Sequence, residues 1–100
     1  MPTLTPSKLF LKDIAAFQGN SVLRKKIAKS LAMLERNPLH PGLRLERIIN
    51  DPSAWSIRIN GRYRLSFDPG GYHPAGNPDW HATIILLRLL DHDDLYKSPR

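Results

Sequence analysis

The chain contains no cysteine. That removes disulfide bonds, thiol nucleophiles and cysteine-based zinc or iron–sulfur sites. It has no apolar run approaching the ~18 residues of a membrane-spanning helix. Its first residues, MPTLTPSK, lack the apolar stretch of a secretory signal, so a cytoplasmic protein is expected. Internal repeats and low-complexity tracts are absent as well. Acidic residues are the scarce charge, 9 Asp and Glu against 15 Lys and Arg, for a formal net charge of +6. Such an excess suits an acidic partner, either nucleic acid or an acidic protein, although small basic proteins also carry charge for solubility alone. At 100 residues and 41% hydrophobic content, the chain is expected to form a single domain, residues 1–100, around one core.

What is present centres on Trp55 to Phe67, WSIRINGRYRLSF. Trp55, Ile57 and Ile59 alternate with Ser56, Arg58 and Asn60. Beyond the Asn60-Gly61 pair, Tyr63, Leu65 and Phe67 alternate with Arg62, Arg64 and Ser66. Period two on both sides of Asn-Gly predicts a β-hairpin. A two-residue loop would set Ile57 opposite Arg64 and mix the faces. A three-residue connection, Asn60 to Arg62, pairs Ile59 with Tyr63 and Arg58 with Arg64. A one-residue slip would turn every side chain to the wrong face, so burial selects the second register. Arg58 and Arg64 then lie side by side on the exposed face. Composition alone favours a solvated polar face there. The functional alternative is a phosphate site, because the arginine fork matches phosphate oxygens.

Upstream, residues 2–5 suit a brief strand. Thr5-Pro6 reads as an N-cap with proline at the first helical position. Phe10, Ile14 and Phe17 mark one face of a first helix, which Gly19 ends. Asn20 or Ser21 caps a second helix carrying Leu23, Ile27, Leu31 and Leu34, and Asn37-Pro38 stops it. Arg24, Lys25, Lys26 and Lys29 crowd its first turns, where positive charge opposes the helix dipole. Residues 38–42, PLHPG, form a turn in which His40 is a plain turn residue, since no second histidine stands at metal-site spacing. Residues 43–49, LRLERII, read as a strand. Asp51-Pro52-Ser53 turns the chain into the hairpin.

Downstream, residues 68–81 form a long Pro- and Gly-rich loop. Its His73, Trp80 and His81 either stack on a base or staple the loop to the body, and stapling is preferred for Trp80. Residues 82–90, ATIILLRLL, predict a central strand covered on both faces. A polar tail, DHDDLYKSPR, follows. The expectation is an α+β fold in the order β-α-α-β-β-β-β, two N-terminal helices packed on a small, mainly antiparallel sheet whose other face is polar and rich in arginine.

Three stretches, NPLHPGLRLERI, AWSIRINGRYRLSF and TIILLRLLDHDDLY, resemble the RelE/ParE superfamily of bacterial type II toxins, and the resemblance spans nearly the whole chain. It implies a RelE-like toxin neutralised by a wrapping antitoxin. RelE-like members cleave mRNA in the ribosomal A site; ParE-like members inhibit DNA gyrase instead. For an mRNA interferase, the resemblance assigns Arg64 to the scissile phosphate, His92 to acid–base chemistry, and Tyr96 to base stacking or proton transfer. Arg44, Arg47, Arg58, Arg62, Arg88 and Lys97 are candidates for RNA and phosphate binding, and Glu46 is a possible general base. Attack by a 2′-hydroxyl needs a proton acceptor, charge stabilisation and a proton donor, but no metal or other cofactor. The implied partners are an acidic antitoxin, the ribosome and mRNA, with operator DNA reached only through the antitoxin complex and no membrane. A ParE-like gyrase inhibitor and a non-catalytic antitoxin-binding module are the alternatives.

Overall fold

A computed structural model describes residues 2–100. The chain runs β1 (Leu4–Pro6), α1 (Lys8–Ala15), α2 (Ser21–Arg36), a 3-10 turn (Pro41–Leu43), β2 (Glu46–Arg47), β3 (Trp55–Arg58), β4 (Tyr63–Pro69), β5 (Ile84–Asp91) and α3 (His92–Lys97). The five strands form one sheet in the order β1-β5-β4-β3-β2. β1 joins β5 in parallel, and the other three pairings are antiparallel. This is the expected α+β order with a third helix added.

The hairpin has the register that burial demanded. Arg58 stands opposite Arg64 and Ile57 opposite Leu65. The connection is organised by the Asn60 side chain, whose Oδ1 accepts from the backbone N–H groups of Arg62 and Tyr63 at 2.9 and 2.8 Å. Asparagine serves here as a local acceptor that turns the chain, and Gly61 does not need a positive φ.

α1 starts two residues later than Thr5-Pro6 suggested. Ser7 is the N-cap, its hydroxyl accepting from Phe10 N–H, while Pro6 ends β1. α2 is capped by Asn20 and closed at Asn37, as the spacing predicts. Phe10, Leu23, Ile27 and Leu34 from the helices meet Ile57, Leu65, Phe67, Ile84, Leu86 and Leu89 from the sheet in the main core. Burial of such side chains contributes roughly 1.5–3 kcal/mol each.

Two expectations need correction. The strand predicted over 43–49 shrinks to Glu46–Arg47. Arg44 takes a left-handed conformation, φ 50°, so the chain cannot extend smoothly from Leu43. Leu43 is buried under α2's end instead of lying along an edge strand. Second, the far face of the sheet is not an open polar surface, and DHDDLYKSPR is not a loose tail. Asp91 caps α3 by accepting from Asp93 N–H. Leu95, fully buried, packs with Ile48, Ala54 and Leu87 into a second core beneath this helix. Ser56 and Ser66, on the polar parity of the hairpin, are consequently buried, and Ser66 donates to the Pro99 carbonyl at 2.6 Å. The apolar faces of β5 thus meet two cores, which accounts for its nearly continuous hydrophobic run.

The 70–83 loop is pinched at its base. Gly70 N–H donates to Thr83 O at 2.7 Å, and a Cβ at Gly70 would lie 2.4 Å from that oxygen, so only glycine fits. Trp80 meets Trp55 and Phe67 edge to face, with ring centroids 5.3 and 6.2 Å apart. It staples the loop, as its sequence context favoured. His40 sits in its turn, accepting from Gly42 N–H through Nδ1.

Candidate active site

β2 and the β3–β4 hairpin present their polar parity on the face that α3 crosses. α3 begins where β5 ends, and His92 N–H donates to Arg62 O at the hairpin tip, 2.9 Å away. This bond fixes the start of the helix against the turn. Arg64 and His92 then line one shallow depression with Gly61, Arg62, Asp91 and Asp93. One helical turn later, Tyr96 packs its ring against His92, centroids 4.7 Å apart. The i, i+4 spacing on a helix makes that contact unavoidable.

Tyr96 brings a further residue into the group. Its hydroxyl donates to Glu46 Oε2 at 2.8 Å, and Ser56 Oγ lies 3.4 Å away. Burial is the largest influence on the Tyr96 phenol and raises its pKa. The Glu46 carboxylate reinforces that shift, while the Ser56 bond and the Arg64 charge oppose it; the net direction is upward. Glu46 itself is exposed. The site holds a carboxylate, a phenol, an imidazole and a guanidinium on one surface, which supplies a proton acceptor, proton donors and a fixed positive charge.

The expected arginines divide into two groups. Arg58, Arg64 and Arg44 have no ion-pair partner among the described residues. Arg58 and Arg44 also line a groove with Lys26, Lys29 and Arg36 of α2, floored by Met33, Leu43 and Ile59. Arg62 is exposed at the hairpin tip and pairs with Asp91 at 3.1 Å. Lys97 is exposed beside Tyr96. Two others, expected to bind phosphate, are committed inside the fold. Arg47 donates to the carbonyls of Ile48 and Ala54 at 2.8 and 2.7 Å, and also to Pro52 O, closing the 48–54 loop. Arg88 makes a two-pronged pair with Asp13 of α1 at 2.8 and 3.1 Å, with only 19% of its side chain exposed. Neither guanidinium faces the depression at His92.

Glu46 was legible only as an isolated possibility, because it meets Tyr96 across 50 residues of sequence. No local spacing carries that juxtaposition; the pairing of β2 with β3 and the placement of α3 create it. Among the described residues, no group of three His, Asp or Glu side chains is disposed to hold a metal ion.

No family model matches the sequence, and no curated protein matches it. Solved structures do. A YoeB/ParE toxin from Agrobacterium tumefaciens superposes with a TM-score of 0.68 at 17% identity, over 90% of this chain and 98% of that one. YafQ in the E. coli DinJ-YafQ complex gives 0.69 at 14% identity, over 95% and 98%. The YoeB-YefM complex from Staphylococcus aureus gives 0.64 at 25% identity, over 92% and 98%. This is the RelE/ParE toxin fold. In these RelE/ParE-like surroundings the hairpin arginines and α3 occupy adjoining parts of one face, and the long 70–83 loop lies apart from them, held by Trp80.

Proposed function

We propose that the protein is the toxin of a type II toxin–antitoxin system and an endoribonuclease that cuts mRNA on the ribosome, acting in the cytoplasm. The observation that carries this reading is the 2.8 Å hydrogen bond from Tyr96 to Glu46 beside His92 and Arg64. These are the groups that 2′-hydroxyl attack requires, on a face whose fold resembles that of known toxins. In the reaction, the substrate's 2′ oxygen forms a bond to the adjacent phosphorus and the bond to the 5′ oxygen breaks. The products are a 2′,3′-cyclic phosphate and a free 5′-hydroxyl. Glu46, ionised and accepting from Tyr96, takes the 2′ proton. His92 delivers a proton to the leaving 5′ oxygen. Arg64 stabilises the charge that grows on the phosphoryl oxygens, the kind of contact whose removal typically costs 10²–10³ in rate. No metal enters any step.

Arg58, Arg62 and Lys97 bind phosphates flanking the cut, and the basic groove containing Arg44 extends the attraction along the chain. Two of the similar structures are complexes with a second protein, DinJ or YefM. By the same logic, this chain binds an acidic antitoxin that is partly disordered when free, and it reaches operator DNA only within that complex.

The deciding experiment is primer extension on a reporter mRNA in a purified translation system, with and without the protein and with His92→Ala alongside. Ribosome-dependent cuts that disappear with His92→Ala are expected. Intact mRNA in the presence of folded protein would refute the nuclease reading and leave gyrase inhibition or antitoxin binding as the role.

A further inference from the structure

α3 has six residues, His92–Lys97, too few to be stable alone. It carries two of the four groups of the site, so its orientation decides whether they meet. Leu95 anchors it at one point. The bond from His92 N–H to Arg62 O holds its start, but with one buried apolar anchor its far end, with Tyr96, remains free to swing.

The segment that follows α3 supplies a second anchor. Pro99 O accepts from Ser66 Oγ on β4. Arg100 then reaches the loop between β2 and β3. Its Nε and Nη2 donate to the two oxygens of Asp51 at 2.8 and 2.9 Å, and Nη2 also donates to Asp68 at 2.9 Å and to Ser53 Oγ. Asp51 is buried, and it accepts from the Ser53 and Ala54 N–H groups at 2.9 and 2.8 Å. The same loop is held from its other end by Arg47, the residue after Glu46. Glu46 and Tyr96 are thus the two jaws of a contact whose hinge is Arg100 on Asp51.

We propose that Arg100 is a positioning residue: by clamping the segment after α3 to Asp51 and Asp68, it holds the Tyr96 hydroxyl on Glu46. The consequence for catalysis rests on the ribonuclease reading, but the positional claim does not. The chemistry suits the role. A guanidinium can bind one carboxylate with two donors and a second carboxylate at the same time, whereas a lysine ammonium lacks that fixed fork.

The test follows the Tyr96 phenol by NMR in protein labelled at the tyrosine ring, with its signal assigned through Tyr96→Phe. In the unaltered protein, burial and Glu46 raise its titration midpoint. With Arg100→Ala, the midpoint is expected to fall toward that of an exposed tyrosine and the His92–Tyr96 ring contact to weaken, while the main-core signals stay in place. Arg100→Lys is expected to restore part of both. On programmed ribosomes, single-turnover cleavage by Arg100→Ala is expected to fall about tenfold or more with unchanged ribosome affinity. Should Arg100→Ala not fold, Asp51→Asn serves in its place, since its side-chain oxygen still accepts from Ser53 and Ala54. An unmoved midpoint and an intact ring contact in the folded variant overturn the proposal, whether or not the protein cuts RNA. A shifted midpoint with no cleavage by the unaltered protein supports the clamp and refutes the nuclease reading.

Discussion

Breaking the Arg88–Asp13 pair should cost a large fraction of the protein's stability and leave RNA chemistry untouched. Asp13 is the more enclosed partner, with 9% of its side chain exposed, and it accepts three bonds: two from Arg88 and one from Leu89 N–H at 3.0 Å. Arg88→Met replaces the guanidinium by an apolar chain of similar length, so packing changes little. The carboxylate keeps one donor of three and remains enclosed. Removing one partner of such a pair typically costs about 3–5 kcal/mol, against a total of roughly 5–15 kcal/mol for a domain of this size. The lower end applies here, because the guanidinium retains some contact with water. A loss of about 3 kcal/mol corresponds to a fall in Tm of roughly 12–24 °C. Adding Asp13→Asn should recover most of it, to within about 1 kcal/mol of the unaltered protein, since the amide oxygen still accepts from Leu89 N–H and no charge is left unpaired. Urea unfolding of the two single variants and the double variant measures each corner of this cycle. A loss below about 1 kcal/mol for Arg88→Met refutes the structural assignment. So does unaltered stability combined with weakened ribosome binding, which would place Arg88 on the RNA.

Tyr96→Phe, which frees Glu46 from the bond that orients it, should reduce ribosome-dependent cleavage about tenfold or more while changing stability by only about 1 kcal/mol; single-turnover primer extension and urea melts read the two effects separately. Asp51 gives a pH dependence of known sign. Burial pushes its carboxyl up, but the Arg100 pair and the Ser53 and Ala54 N–H bonds outweigh that and hold its pKa below the ordinary 3.8. A depressed folded pKa means that its stabilising contribution is full well above 3.8 and is lost as pH falls through the folded value. Urea midpoints measured from pH 6 to pH 2 should therefore fall less steeply at the acid end in Asp51→Asn. Trp80→Ala should release the loop and cost about 3 kcal/mol, with loss of the far-ultraviolet circular dichroism couplet of the Trp55–Trp80 pair as its signature.

The hairpin was legible because two independent signals agreed. Period-two alternation fixed which side chains share a face, and the burial argument then excluded the two-residue loop, leaving Arg58 opposite Arg64. The caps at Asn20 and Asn37 were legible for the same reason, since asparagine at those places has a local hydrogen-bonding use. α3 was not. Six residues with two acids show no apolar periodicity, and the single buried residue, Leu95, acquires meaning only from Ile48, Ala54 and Leu87, brought together from other parts of the chain. The 43–49 strand failed through backbone conformation: alternation was present, but Arg44 adopts the left-handed region and breaks the extension. Tyr96 and His92 were singled out through the family resemblance, and the contact of Tyr96 with both His92 and Glu46 could come only from the fold.

The same fold decides which positive charges remain for a partner. A count of 15 Lys and Arg treats them as equivalent, yet their surroundings do not. Arg47, Arg88 and Arg100 each satisfy a carboxylate or a set of carbonyls within the fold. All three secure segments that carry or adjoin the site: the loop after Glu46, the strand leading into α3, and the segment leaving it. Arg44, Arg58 and Arg64 have no carboxylate partner among the described residues, Arg58 donating only to the Asn60 carbonyl at 3.3 Å, and two of the three share a groove with three cations of α2. Like charges set side by side without counter-ions are unfavourable in the free protein. An anionic partner relieves that repulsion, so the charge that costs stability in isolation becomes affinity in the complex. The salt dependence of ribosome binding should accordingly weaken on removing Arg44 or Arg58, by about one counterion each, and should not change on removing Arg88.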